Sequence, residues 1–150
     1  MVLLGLGVFL WSFAHLAKRL VPAFGHAMKG AERPMVTGLI VLSLVLMVIG
    51  YRGAEGAVLW GRTAPLVGIN NLLMLASIYL FAAAGMKTLI ARRLRHPMLT
   101  GMILWAIAHL LVNGDVPSFV LFGGLGLWAV AEIVLLNRTP WVKPQGRAVK

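Results

Sequence analysis

The chain has 150 residues, of which 60% are hydrophobic and only 12% are charged. Soluble domains are about 45–50% apolar and about 25% charged, so this composition excludes a soluble globular enzyme and predicts a lipid-embedded, all-α protein. The 14 Lys and Arg, against 4 Asp and Glu, lie in short clusters between apolar runs. That pattern signals membrane topology and argues against a nucleic-acid partner. The absence of cysteine excludes disulfides, thiolate metal sites and cysteine nucleophiles.

Five stretches with few charges predict an integral membrane bundle of about five transmembrane helices. In chain order they cover about residues 1–20, 35–51, 63–86, 97–113 and 116–136. About 20 residues span a bilayer core, and a backbone in lipid must satisfy its own polar groups, which favours helices. We therefore expect residues 1–136 to form one transmembrane domain and residues 137–150 to form a basic cytoplasmic tail. The charges of the first stretch follow its apolar run, so we interpret it as a retained helix and not as a signal peptide.

The basic residues of the loops predict the orientation of this bundle. The loops after the first and third helices and the C-terminal tail hold 12 of the 14 Lys and Arg. Cytoplasmic segments carry the excess of Lys and Arg in membrane proteins. We therefore expect the N-terminus outside, the C-terminus in the cytoplasm, and membrane lipid as the surrounding partner.

A short polar segment separates the fourth and fifth predicted helices. It reads Asn113, Gly114 and Asp115, which are residues typical of turns. Asp115 is expected to cap the next helix, and Pro117 is tolerated in the first turn of a helix.

Two histidines within apolar helices have matching surroundings. The heptapeptides LWSFAHL, which ends one residue after His15, and LWAIAHL, which ends one residue after His109, agree at five of seven positions. In both, a tryptophan (Trp11 or Trp105) lies four residues before the histidine and therefore on the same helix face. Neutral imidazole is a usual axial ligand of haem iron, so this pair suits a bis-histidine haem b. Zinc is less favoured, and the alternative is that both histidines only form hydrogen bonds between helices.

The predicted depths of the histidines leave three pairings open. His15 lies near the cytoplasmic end of its helix and His109 near the outer end of its own, an offset of roughly 10–20 Å. His96 precedes His109 by 13 residues and is therefore closer in depth to His15. A His15–His109 pair, a His15–His96 pair and two separate sites all stay possible, and Asn113 is a candidate for orienting His109.

A buried acid accompanies these histidines. Glu132 lies in the fifth predicted helix at about the depth of His15. Charged groups in lipid find partners, so we expect Glu132 to accept a proton from His15 or to pair with Lys18 or Arg19.

The chain resembles the NnrU family of integral membrane proteins. The motifs that carry the likeness are RHPM at 95–98, LWAIAHLLVNGD at 104–115 and LFGG at 121–124, together with the first-helix His15 followed by basic residues. The resemblance implies a bacterial inner-membrane protein associated with denitrification, with a link to nitrite and nitric oxide reduction. It also implies kinship with 15-cis-zeta-carotene isomerase, a membrane enzyme that holds haem b through histidines.

The resemblance implies that His109 and His15 are the axial ligands of the haem iron, with His96 as a third candidate ligand. The isomerase has a cysteine near its ligand histidine where this chain has Ala106, which argues against the same ligand exchange here. No nucleophile–base pair is evident, so any chemistry must come from a cofactor. The sequence leaves three functions: a haem b protein of nitrogen-oxide respiration or another membrane redox system, a non-catalytic subunit of a larger membrane complex, or a haem-dependent isomerase of a polyene lipid.

Overall fold

The computed structural model of the protein describes residues 1–20, 32–86 and 88–143, except for the side chains of residues 18–20 and 32–33. The described chain is mostly helical, as predicted. Its helices are α1 Val2–Leu20, α2 Glu32–Gly53, α3 Ala64–Gly85, α4 Leu89–Arg93, α5 Pro97–Val112 and α6 Val116–Leu136. Of the predicted tail, residues 144–150 lie outside the described residues.

Three of the described helices are long and apolar enough to cross a membrane. They are the stretch Pro34–Gly53 of α2, the whole of α3, and α6. The apolar parts of α1 and α5, Val2–Ala17 and Pro97–Val112, are shorter. Residues that are buried in the described bundle make up only 17–28% of each long span, so most of their apolar surface faces outward. Outward-facing apolar side chains are what a lipid environment accommodates.

Two helix pairs and one central helix make up the bundle. Helix α1 packs chiefly on α2, α3 packs chiefly on α5, and α6 contacts both α1 and α5. Leu4, Met47 and Leu125 form the buried cluster where α1, α2 and α6 meet. A Cβ at Gly50 would overlap the backbone of Leu4, so this glycine permits the close approach of α1 and α2.

A buried hydroxyl joins α3 to α5. Ser77 is fully buried, and its Oγ donates a 2.7 Å hydrogen bond to the carbonyl oxygen of Gly101. A Cβ at Gly101 would lie 3.2 Å from the carbonyl oxygen of Ser77. Small residues and interhelical hydrogen bonds are the usual means by which membrane helices associate.

Two short strands close one end of the bundle, and the sequence did not predict them. Strand β1, Val58–Trp60, pairs antiparallel with β2, Gly114–Asp115. The indole Nε1 of Trp60 donates a 2.8 Å hydrogen bond to the carbonyl oxygen of Leu110. This bond satisfies one of the terminal carbonyls of α5, which lack partners within the helix.

Helix α6 begins at the predicted Asp115 cap and then contains a π-helical turn. Asp115 Oδ1 accepts a 2.8 Å hydrogen bond from the backbone N–H of Ser118, so the predicted cap is confirmed. The next residues, Phe119–Gly123, form a π-helical turn before the α-helix resumes. Such turns often lie at functional sites.

Candidate functional site

The imidazole rings of His15 and His109 each make the same contact with a backbone carbonyl oxygen. Nδ1 of His15 lies 2.8 Å from the carbonyl oxygen of Trp11, and Nδ1 of His109 lies 2.8 Å from that of Trp105. Because a carbonyl oxygen only accepts, Nδ1 carries the proton in each neutral ring and Nε2 keeps its lone pair. This tautomer presents Nε2 for ligation of a metal.

Each histidine also lies in a cluster of three rings. The predicted shared helix face is confirmed, since the Trp11 and His15 rings are 4.5 Å apart and the Trp105 and His109 rings 4.6 Å apart, centroid to centroid. Helix α6 supplies the third ring of each cluster. We call Trp11, His15 and Trp128 the His15 cluster, and Trp105, His109 and Phe122 the His109 cluster. The third rings lie 4.8 Å and 4.7 Å from the respective imidazoles.

The π-helical turn of α6 explains the position of the third ring in the His109 cluster. Phe122 lies within this turn, is buried, and stacks on His109 with an angle of 25° between the ring planes. The motif around Phe122 was noted in the sequence for its resemblance alone. Its structural role is to pack an aromatic face against the imidazole of His109.

The packing of α6 fixes the levels of the two clusters along the bundle. Gly124 lies against Val8 of α1, and Gly126 lies against Ala106 of α5. Helix α1 runs parallel to α6, since Trp11 and His15, which follow Val8, contact Trp128.

Helix α5 runs antiparallel to α6, because His109, which follows Ala106, contacts Phe122, which precedes Gly126. Counting along the helices from the contacts of Val8 with Gly124 and of Ala106 with Gly126, the backbone of His15 is level with residue 131 of α6. The backbone of His109 is level with residue 123. At 1.5 Å per residue these levels differ by roughly 12 Å. The structure therefore places the two histidines in separate clusters.

His15 lines a cavity of about 430 Å³, which we call the His15 cavity. Four helices contribute to its wall. The lining residues are Trp11, His15, Phe81, Met98, Leu99, Met102, Trp128, Glu132 and Leu136. The volume lies within the range of about 300–1,000 Å³ that is usual for small-molecule sites. His109 is not among the described residues that line this cavity.

The few polar groups of the His15 cavity are concentrated beside His15. The indole Nε1 atoms of Trp11 and Trp128 are buried and have no hydrogen-bond partner among the described residues. Glu132 lines the same cavity and is 5% exposed. The side chains of its expected partners Lys18 and Arg19 lie outside the described residues. Buried donors without acceptors are rare in folded proteins, so these two indoles are unusual features of the cavity wall.

His96 lies at the end of the bundle and does not line the His15 cavity. Its Nε2 is 2.8 Å from Asn137 Oδ1, so that nitrogen is engaged by an amide oxygen at the end of α6. The neighbouring Arg95 donates from Nη2 to the carbonyl oxygens of Leu136 and Thr139, each at 2.6 Å. These contacts join the start of α5 to the C-terminal end of α6. The structure thus does not bring His96 and His15 to one site.

Asn113 acts on the backbone of His109. Its Nδ2 donates a 2.9 Å hydrogen bond to the His109 carbonyl oxygen, and its backbone N–H donates to the same atom at 2.9 Å. The side chain therefore caps the end of α5, and the contact that orients the imidazole comes from Trp105 instead.

Sequence reasoning missed the methionines of the His15 cavity. Met98 and Met102 line it from α5, one helical turn apart, and the sequence pattern had assigned them no role. Their spacing of four residues places both on one helix face, and this pattern could have indicated that they line the same site. Within the described ranges, no group of three or more His, Cys, Asp or Glu is placed to hold a metal ion.

A comparison with known proteins supports the family resemblance that the motifs of α5 and α6 suggested. No curated protein and no solved structure matches the chain. The family model described as NnrU protein matches residues 3–150, which is nearly the whole sequence. The match includes both aromatic clusters and the His15 cavity. The chain therefore belongs to the NnrU family.

Proposed function

We propose that this protein is a multi-pass inner-membrane haem b protein in which His15 is an axial ligand. One observation carries the proposal. His15 combines a protonated Nδ1, which leaves the Nε2 lone pair available, with a position in the wall of an apolar cavity. Of the described histidines, His96 has Nε2 engaged by Asn137, and His109 belongs to a cluster at another level.

The residues around His15 suit a flat apolar cofactor. Aromatic and aliphatic side chains make up most of the wall of this open cavity, to which Glu132 adds a carboxyl group, and Trp128 is 8% exposed. His15 would bind the iron through Nε2, and the rings of Trp11 and Trp128 would exclude water from that side. Haem b, when bound, supplies one-electron redox chemistry, which side chains alone do not provide.

The difference in level between the clusters disfavours one haem shared by His15 and His109. His15 and His109 would hold one iron together only if their Nε2 atoms came close to each other. The offset of roughly 12 Å between their backbone levels works against such an approach. We therefore assign the haem to His15 and give His109 a packing role between Trp105 and Phe122, and treat ligation by His109 as the alternative to be tested.

The proposal includes a topology of five membrane crossings. The apolar parts of α1 and α5 have the composition of membrane helices, although they are shorter than α2, α3 and α6. The distribution of Lys and Arg favours an outside N-terminus and a basic cytoplasmic tail over residues 137–150. Short helices are accommodated by local thinning of the bilayer and by flanking residues that reach the interface.

Spectroscopy of the purified protein tests the haem assignment. The full chain is expressed with a supply of haem precursor, purified in detergent, and measured as a reduced-minus-oxidised difference spectrum. We expect a Soret and an α-band of b-type haem. A protein that is monodisperse but lacks both bands contradicts the proposal. Copurification of a stoichiometric partner without haem would instead support an accessory subunit.

The role in nitrogen-oxide respiration rests on membership of the NnrU family. It is tested in a denitrifying host whose own copy is replaced by His15→Ala. We expect slower anaerobic growth on nitrite and normal aerobic growth. Anaerobic growth equal to that of the unmodified strain would contradict this role and leave a different membrane redox system as the place of function.

A further inference from the structure

A second cavity lies between α2, α5 and α6, and we call it the α2 groove. Its volume is about 270 Å³. Five residues of α2 line it, together with a tryptophan of α5 and two leucines of α6. Among the described residues, this groove and the His15 cavity share no lining residue. The α2 groove is therefore a separate feature that the proposed haem function does not use.

The α2 groove runs along α2 from one end of that helix toward its middle. The residues of α2 that line it are Leu44, Met47, Val48, Tyr51 and Arg52, whose spacing of three and four residues places them on one helix face. At 1.5 Å per residue this face extends for about 12 Å. Helix α2 ends at Gly53, and its stretch Pro34–Gly53 is long and apolar enough to cross a membrane. The Arg52 end of the groove therefore lies at the membrane surface, and the rest extends into the hydrocarbon.

The deeper part of the groove is apolar and open to its surroundings. Met47 and Leu125 line it and are buried, whereas Val48 is 53% exposed. Its volume lies just below the range of about 300–1,000 Å³ that is usual for small-molecule sites. A slender chain therefore fits this groove better than a ring system does. In a membrane, the slender apolar chains at this depth are the acyl chains of lipids.

The surface end of the groove carries one positive charge. Tyr51 Oη lies 2.9 Å from Ser118 Oγ, and this hydrogen bond joins α2 to the start of α6. Within the described part of the chain, the guanidinium of Arg52 makes no hydrogen bond or ion pair. Guanidinium groups bind phosphate oxygens through paired hydrogen bonds. A cation at the membrane surface beside an apolar groove complements a molecule with an anionic head and an apolar chain.

We propose that the α2 groove binds one phospholipid. Its acyl chain lies along Leu44 and Val48, and its phosphate is bound by Arg52. The apolar wall selects against a free anion, and the guanidinium selects against a lipid without a phosphate. The surrounding membrane supplies the ligand. This site does not depend on the proposed haem function.

The test counts lipids bound to the full chain. The protein is stripped of lipid in detergent and titrated separately with phosphatidylglycerol and with diacylglycerol that has the same acyl chains but no phosphate. Native mass spectrometry then measures the bound lipid. Each variant is first checked for monodispersity, so that a misfolded protein is not scored as one that has lost the site.

Two pairs of variants separate the charge from the groove. Arg52→Gln removes the proposed phosphate ligand, and Arg62→Gln, in the same loop region but outside the groove, is its control. Val48→Phe fills the groove, and Ile49→Phe is its control. Val48 and Ile49 are neighbours on α2 and each is 53% exposed, but only Val48 lines the groove.

We expect the wild-type protein to bind one phosphatidylglycerol in preference to diacylglycerol. Arg52→Gln should bind phosphatidylglycerol roughly tenfold more weakly, which is the usual effect of losing a hydrogen bond to a charged group. Val48→Phe should lose the bound lipid, and both controls should bind as the wild type does. Equal binding of the two lipids by the wild type overturns the proposal. So does a member of either pair that binds phosphatidylglycerol as tightly as its control.

Discussion

His15 and His109 have the same local geometry but lie at different levels of the bundle. In each, Nδ1 is bound at 2.8 Å to the carbonyl oxygen of the tryptophan four residues earlier. Yet one ring packs on Trp128 and the other on Phe122, six residues apart along α6. The repeated heptapeptide therefore builds the same local geometry at two histidines, and the packing of α6 gives each a different aromatic neighbour.

The proposed topology predicts opposite accessibility for two introduced cysteines. The chain has no cysteine of its own, so single substitutions need no background removal. Gly61 has open space around a Cβ, and Val142 is 82% exposed, so cysteine fits at both positions. In spheroplasts, an impermeant maleimide should label Gly61→Cys and should label Val142→Cys only after lysis. The reverse pattern would show an inverted protein, and equal labelling of both would refute an odd number of crossings between them.

A side chain at Gly114 should destabilise the paired strands. A Cβ at this position would overlap the indole of Trp60. Gly114→Ala should lower the free energy of unfolding by about 1–3 kcal/mol, which is the usual effect of overpacking. Thermal unfolding in detergent measures the change. Gly61→Ala, where a Cβ meets nothing within 4 Å, is the matched control and should be neutral. Equal stability of both variants would show that the strand pairing does not constrain the bundle.

Removal of the hydroxyl between α3 and α5 should weaken that helix pair. Ser77→Ala loses the 2.7 Å bond to Gly101, and we expect a destabilisation of about 1 kcal/mol. Ser12→Ala is the control, since Ser12 Oγ donates within its own helix to the carbonyl oxygen of Val8. A larger loss in Ser12→Ala than in Ser77→Ala would contradict the importance of this contact.

His96 should contribute to stability and not to haem binding. His96→Ala removes the contact with Asn137 and should cost about 1 kcal/mol or less, because the bond is exposed. Asn137→Ala should have the same effect, and the double variant should lose no more than either single one. Haem content should stay at the wild-type level in all three. A His96→Ala protein without haem would contradict this prediction and support ligation by a His15–His96 pair.

Local sequence chemistry predicted those parts of the fold that depend on neighbouring residues. Apolar runs indicated membrane helices, Asp115 was predicted as the cap of α6, and the spacing of Trp11 and His15 predicted their shared face. In each case the interacting residues are at most four positions apart, so helix geometry or turn chemistry determines the contact.

The remaining features depend on contacts between distant segments. Trp60 pairs with Gly114 across more than 50 residues, and no periodicity marks two such short strands. Helix geometry predicted the offset of roughly 10–20 Å between His15 and His109. The ring of α6 that packs on each histidine depends instead on where Gly124 and Gly126 pack, which the sequence of one helix does not determine. The His15 cavity was not predicted for the same reason, because side chains from four helices form its wall.

The haem content of two alanine variants tests the assignment of the site most directly. His15→Ala and His109→Ala are purified in parallel under haem supply, and the haem bound per protein is measured with the difference spectrum. We predict that His15→Ala loses haem and that His109→Ala retains it with the wild-type spectrum. Wild-type haem content in His15→Ala, together with its loss in His109→Ala, would place the cofactor at the other cluster and contradict the assignment.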